Sequence, residues 1–174
     1  MRKVIPKKIE LGEIAINDIK IDTRSRDDIP QILLGLQYLY EREEVRKEIF
    51  RVLEKLIPKN IDKNNGRPGL CLWRILVLGM LRLNLNWDYD RLQEMVNNHK
   101  TIRKFLGHDE HDDHYYHLQT LKDNIRLFTP EILSEINQTV VSAAHKLLKK
   151  KIQQRCIAGV TRSWLRQMST FQQI

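Results

Sequence analysis

From Leu70 to Leu85 the chain reads LCLWRILVLGMLRLNL, and its apolar residues fall on every side of a 3.6-residue wheel. A helix of that kind has no face to give to water, so the rest of the chain must be arranged to wrap it. Gly66-Arg67-Pro68-Gly69 is a breaker cluster that ends whatever precedes the helix. After the turn at Asn84 to Trp87, Asp88 is a good N-cap, and Leu92, Met95 and Val96 keep helical spacing up to Asn97-Asn98. Lys100 to Leu106 then turns Ile102, Phe105 and Leu106 inward and leaves Lys100, Arg103 and Lys104 outward. One buried helix followed by two short amphipathic ones is the outline of a helix-turn-helix DNA reader.

The flanking segments are also helical by pattern. Residues 1 to 24 alternate weakly through Ile14, Ile16, Ile19 and Ile21, which predicts a short strand or extended arm. Asp27, Asp28 and Pro30 signal a helix start, with Ile32, Leu33, Leu36, Leu39 and Tyr40 as its stripe. Glu41 to Ile57 forms a second amphipathic helix through Val45, Ile49, Val52, Leu53 and Leu56, closed by Pro58. Past the polar link GHDEHDD, Asp112 or Asp113 is placed to cap a helix from about His114 to Phe128. Thr129 caps the next, with Pro130 at its first position and a stripe from Ile132 to Leu147. The expected fold is mainly α: a helical bundle containing a helix-turn-helix-like unit, with a short extended N-terminal arm and a disordered C-terminal tail. Residues 1–58 are the arm and helical pair, 59–151 the DNA-binding half and C-terminal helix, and 152–174 the tail.

Charge sharpens the reading once it is divided along the chain. Of a net +8, residues 146–174 carry seven basic residues and no acid, while 59–108 hold nine basic and four acidic residues and 109–135 hold two basic and seven acidic. The presumptive reader is thus locally basic inside a nearly neutral body. That is better evidence for DNA contact than the total charge. No apolar run reaches the length of a membrane span and the N-terminus has no signal-type apolar region, which predicts a cytoplasmic protein.

The candidate DNA-binding residues are Lys63 and Arg67 in the connector, Arg91, Asn97, Asn98 and His99 on and after the first short helix, Lys100, Arg103 and Lys104 on the second, and Gln119 and Lys122 beyond. Taken alone, Lys100, Arg103 and Lys104 are better explained as the solvated face of a surface helix, because short trihelical units with basic faces occur in many proteins that bind no DNA. His108, His111, His114 and His117 recur every third residue among four acids, but a linker rich in caps accounts for them and no second ligand cluster completes a metal site. Cys71 and Cys156 are too far apart in sequence for a zinc or disulfide pattern, and Cys71 reads as a small core residue. Trp73, Trp87 and Tyr89 read as core packing rather than a stacking platform. No glycine-rich phosphate loop or nucleophile elbow is present, so no residue is assigned to catalysis and none to metal.

The run IDKNNGRPGLCLWRILVLGMLRLNLNWDYDRLQEMVNNHKTIRKFLGH, followed by HYYHLQTLKDNIRLFTPEILSEIN, resembles the N-terminal region of bacterial insertion-sequence transposases of the acidic-triad, ribonuclease-H-like group. The likeness covers roughly residues 1–151. It implies a part in DNA transposition, a form of DNA recombination in which the enzyme grips the terminal inverted repeats of a mobile element. It also implies strand cleavage and transfer by two divalent metal ions such as Mg on three carboxylates, in a core that follows this region. RCIAGVTRSWLRQMSTFQQI does not look like the opening of that core. Regrouping codons allowed for Gly159 to Ile174 one nucleotide earlier makes Arg-Cys-Asp-Ser-Phe-Val-Val-Glu-Thr-Asp-Val-His-Phe-Pro-Thr-Asp available, which does. The expectation is an out-of-frame tail entered near the lysine run Lys149 to Lys151 and a truncated chain without its own triad or cofactor. It would bind element ends as a homodimer or together with full-length transposase. The alternative is a helical dimerisation or regulatory module with no DNA affinity, built on the apolar stripes of 30–57 and 130–151.

Overall fold

The structure, a computed structural model, describes residues 15–57, 69–109 and 111–149, with side chains described as far as Ala143. It is mainly α-helical, and among the described residues no strand occurs: α1 is Ile29–Glu41, α2 Glu43–Leu53, α3 Leu72–Asn84, α4 Tyr89–Asn98, α5 Lys100–Phe105, α6 Leu118–Ile125 and α7 Pro130–Lys149. Lys63 and Arg67, residues 1–14 and the tail 152–174 lie outside the described residues.

α3 is the axle that its sequence demands. Leu72, Trp73, Asn84 and the unbroken run Ile75 to Leu81 are all buried, with α1, α2, α4 and α6 packed around them. Each large aliphatic side chain withdrawn from water in this way is worth roughly 1.5–3 kcal/mol, which offsets the chain entropy of ordering the surrounding helices. Gly79 marks the closest approach: a Cβ placed there would lie 2.4 Å from a ring carbon of Phe128, in the turn between α6 and α7. Cys71 stands at the N-cap position of α3, half-buried and with a free thiol, rather than inside the helix.

The N-terminal pair folds as its stripes predict. Asp27 Oδ1 accepts from Ile29 N at 3.2 Å to open α1, and α1 meets α2 at the single extended residue Arg42. The Arg46 guanidinium sits over the Tyr40 ring and donates to Tyr40 O at 2.9 Å, tying the second helix back across that joint. Ahead of α1, Ile16, Ile19 and Ile21 do not form a strand, and Ile14 lies outside the described residues. Ile16–Asp18 make one 3-10 turn, Ile19 sinks into the core, and Gln37 Nε2 donates to the carbonyls of Ile16, Asn17 and Ile19. A side-chain amide thus takes the part that a neighbouring strand would have played.

α7 begins where Thr129 and Pro130 place it, with Thr129 Oγ1 accepting from Ile132 N at 3.5 Å. It packs along α2, where Ile132, Ile136, Val140 and Ala143 meet a core shared with Ile49, Val52 and Leu53. Lys55 bridges to Glu135 at 2.5 Å along that seam. One apolar core therefore takes side chains from both sides of the connector at 58–68.

α6 starts later than the caps in the link suggest. The helix expected from about His114 begins at Leu118, because His114 to His117 run extended. Tyr116, with 1% of its surface exposed, is drawn into the core and its backbone is hydrogen-bonded to Asn97, which a helical start at His114 would not allow.

Candidate nucleic-acid interface

α3, α4 and α5 follow one another as a compact trihelical unit. The α3–α4 turn is held by Asn84 Nδ2 donating to Met80 O, by Trp87 N donating to Arg82 O, and by Asn86 in the left-handed region at φ 51°. Asp88 Oδ1 then accepts from Arg91 N at 2.7 Å and caps α4. His99 alone separates α4 from α5, and its Nδ1 accepts from Ile102 N at 3.3 Å as the cap of the second helix. Gly107, at φ 75°, closes α5 with its N–H on Lys104 O while His108 N reaches Arg103 O.

The residues expected to meet DNA divide into two groups. Asn97 is turned inward: Oδ1 accepts from Tyr116 N at 2.8 Å while Nδ2 donates to Gln93 O at 2.9 Å and Tyr116 O at 3.1 Å. Arg103 is half-buried and donates to the carbonyls of His114, at 2.9 Å, and Asp112. These two side chains are fasteners for the 108–117 segment, so their donors are committed to protein rather than to a groove. His99 is likewise engaged as a cap. Asn98 and Lys100 are exposed and Lys104 half-buried; the two lysines each have an interaction within the protein. Arg91 is exposed but paired with Glu94 at 2.7 Å, and Gln119 donates to Asp123 at 2.6 Å on α6. Lys122 is half-buried with its ammonium 5.8 Å from the centre of the Tyr89 ring.

Of the histidine-rich link, His108 is built into the core, while His111, His114 and His117 are exposed. His108 is 4% exposed, with Nδ1 2.5 Å from Asp112 Oδ2 and Nε2 2.7 Å from the Tyr116 hydroxyl. A neutral ring satisfies both ends, donating from Nδ1 to the carboxylate and accepting at Nε2 from the phenol. Desolvation by burial pushes the His108 pKa below its ordinary value, with the Asp112 hydrogen bond opposing it. That same hydrogen bond holds the Asp112 carboxyl low, and burial pushes the Tyr116 hydroxyl up. His114 stacks on His108 with centres 4.9 Å apart, and its pKa is also lowered, chiefly by burial and then by the Arg74 charge. Arg74 reaches across from α3 to Leu106 O at 2.6 Å, and Trp73 Nε1 donates to Phe105 O at 2.9 Å. Among the described residues no group of three or more His, Cys, Asp or Glu side chains is placed to share a metal ion.

Sequence reasoning missed Arg82. It lies in the last turn of α3 with its guanidinium carbon 4.3 Å from the Tyr89 ring centre, and its Nε is buried with no hydrogen-bond partner. The available signal was the second arginine of an otherwise largely apolar run, seven residues before a tyrosine. Trp73 is core, as expected, while Trp87 and Tyr89 are half-buried against it. No helix among the described residues is long and apolar enough to cross a membrane. No protein-family model, curated protein or solved structure matches the chain.

Proposed function

We propose that residues 15–149 are the DNA-binding, end-recognition domain of an insertion-sequence transposase, contributing recognition rather than strand cleavage. The observation that carries this reading is the stretch 72–105 itself, a largely buried helix leading through two capped short helices in a segment with nine basic and four acidic residues over 59–108. The resemblance of 61–108 and 114–137 to transposase N-terminal regions gives that geometry its biological context. In this role the chain occupies the terminal inverted repeats of its element, alone or beside full-length enzyme, and so regulates transposition. The out-of-frame reading of 152–174 belongs to the same proposal. Strand transfer with Mg would then fall to a catalytic core encoded in the other frame, and none of the carboxylates from Asp18 to Glu135 is assigned to it.

A mobility shift on the terminal repeats tests the reading directly. Tighter binding to the repeats than to scrambled duplex is the expected result, and equal affinity for both defeats end recognition. The competing interaction module needs free apolar stripes on the helices at 30–57 and 130–151. Ile49, Val52, Leu53, Ile132, Ile136 and Val140 are instead buried within one chain, which favours the DNA reading. A stable dimer by light scattering together with no DNA affinity would restore the rival.

A further inference from the structure

We infer that Arg82 and Lys122 form a clamp for a backbone phosphate of DNA, built on the Tyr89 ring; the inference rests on the DNA-binding reading above. The two cations come from different helices, α3 and α6, and meet at a ring from the first turn of α4. Bringing two like charges to one aromatic ring, at 4.3 and 5.8 Å from its centre, is unfavourable unless an anion is to be bound there or the ring's quadrupole offsets the repulsion.

Among the described residues neither cation has a carboxylate partner. Asp88 and Asp90, which flank Tyr89, make no ion pair with Arg82 or Lys122, and Asp123 on α6 is held by Gln119. This sets the pair apart from the other basic residues that the sequence singled out. Arg91 is neutralised by Glu94, Arg103 is spent on carbonyls, and Lys100 and Lys104 have their own interactions. Arg126, exposed one turn beyond Lys122, extends the same α6 face with a third cation.

The stacking geometry leaves the chemistry available. A guanidinium over a ring uses its π face, so its in-plane N–H groups still require acceptors. In Arg82 the Nε–H is sealed from solvent and unsatisfied while the residue as a whole is only half-buried. An oxyanion approaching from outside therefore meets the terminal nitrogens, with the three ammonium donors of Lys122 on the same ring. Two non-bridging oxygens of one phosphodiester fit that donor set, and a neutral or cationic ligand does not.

The test measures binding of a short fluorescent duplex between about 50 and 200 mM salt, where each lost phosphate contact makes the slope of log K against log salt less steep by about 0.9. Arg82→Gln and Lys122→Gln are each expected to show that loss, Arg82→Lys to retain the parent slope, and Arg51→Gln on the remote α2 to change nothing. Thermal unfolding establishes that each variant is folded, and Lys122→Gln serves if Arg82→Gln is not. In parallel, inorganic phosphate is added to nitrogen-15-labelled protein while the Arg82 Nε–H resonance is followed. Duplex binding with unaltered slopes in both Gln variants overturns the clamp and leaves the DNA reading standing. A phosphate-dependent Arg82 shift in a protein that binds no duplex makes the site one for free phosphate, which overturns both the nucleic-acid ligand and the DNA reading. Neither duplex binding nor a phosphate-dependent shift removes both.

Discussion

Asn97 offers the sharpest test of the division between fastening and DNA-facing residues. Its side chain makes three hydrogen bonds, from Tyr116 N and to Gln93 O and Tyr116 O, all between 2.8 and 3.1 Å. Gln93 Nε2 also donates to Tyr116 O at 3.1 Å, so removal of the Asn97 amide leaves that carbonyl served but orphans the Tyr116 N–H beside a fully buried ring. At about 0.5–1.5 kcal/mol per bond plus the penalty for a stranded donor, Asn97→Ala should cost about 2–4 kcal/mol. In thermal terms that is a fall in Tm on the order of 5–15 °C for a chain of this size. Asn97→Asp keeps the acceptor for Tyr116 N but aims negative charge at two carbonyls, and should be at least as damaging. Urea unfolding gives the stability change, and titration of duplex under conditions where the variant stays folded gives the binding change. The reasoning requires a large stability loss with affinity within about twofold of the parent, since twofold is only roughly 0.4 kcal/mol. An Asn97→Ala protein as stable as the parent but crippled in DNA binding refutes it and returns Asn97 to the groove.

Other consequences follow from the same packing. Gly79→Ala forces the Phe128 ring aside and should destabilise by about 1–3 kcal/mol, and adding Phe128→Leu should recover part of that loss rather than add to it, as a double-mutant cycle in urea would show. His108 and His114 have folded pKa values below the unfolded one near 6.5, so the unfolded chain takes up protons first. Their contribution to stability is complete above that value and falls away as pH drops from about 6.5 through the lowered folded pKa values, whereas the Asp112 contribution is lost only below about 3.8. Urea midpoints measured from pH 7.5 to 5 should therefore decline before the carboxylates titrate, and His108→Gln should flatten that early part of the profile. The gene, read one base back from the Lys149 codon, should continue open through the remaining acidic residues of a catalytic core. An immediate stop in that frame would make the tail the chain's own.

What the sequence made legible was whatever depends on neighbours within a turn or two. The all-apolar α3, the stripes of α1, α2 and α7, and the caps at Asp88 and Thr129 are local patterns, and each element lies where its pattern puts it. The segment 114–117 was misread because its conformation is set by Asn97, 19 residues earlier in the chain, through bonds that leave no periodic trace. Arg103 was assigned outward by helical phase, yet its length lets it curl back to carbonyls 9 and 11 residues on. Arg82 shows the opposite failure: an apolar context hid a cation whose partner, Tyr89, lies across a turn.

The seam between α2 and α7 has a kinetic meaning. Lys55 and Glu135 are 80 residues apart, so this part of the core cannot close until α7 has begun to be synthesised, and its closure is a long-range, late event in folding. The lysine run at 149–151 starts on the last residue of α7. A ribosome that changes frame at that run has already delivered every residue the seam uses. Products of either frame would then share one helical body and, on the function proposed above, compete for the same DNA ends on equal terms, which is the condition under which a short product can restrain a long one by number alone.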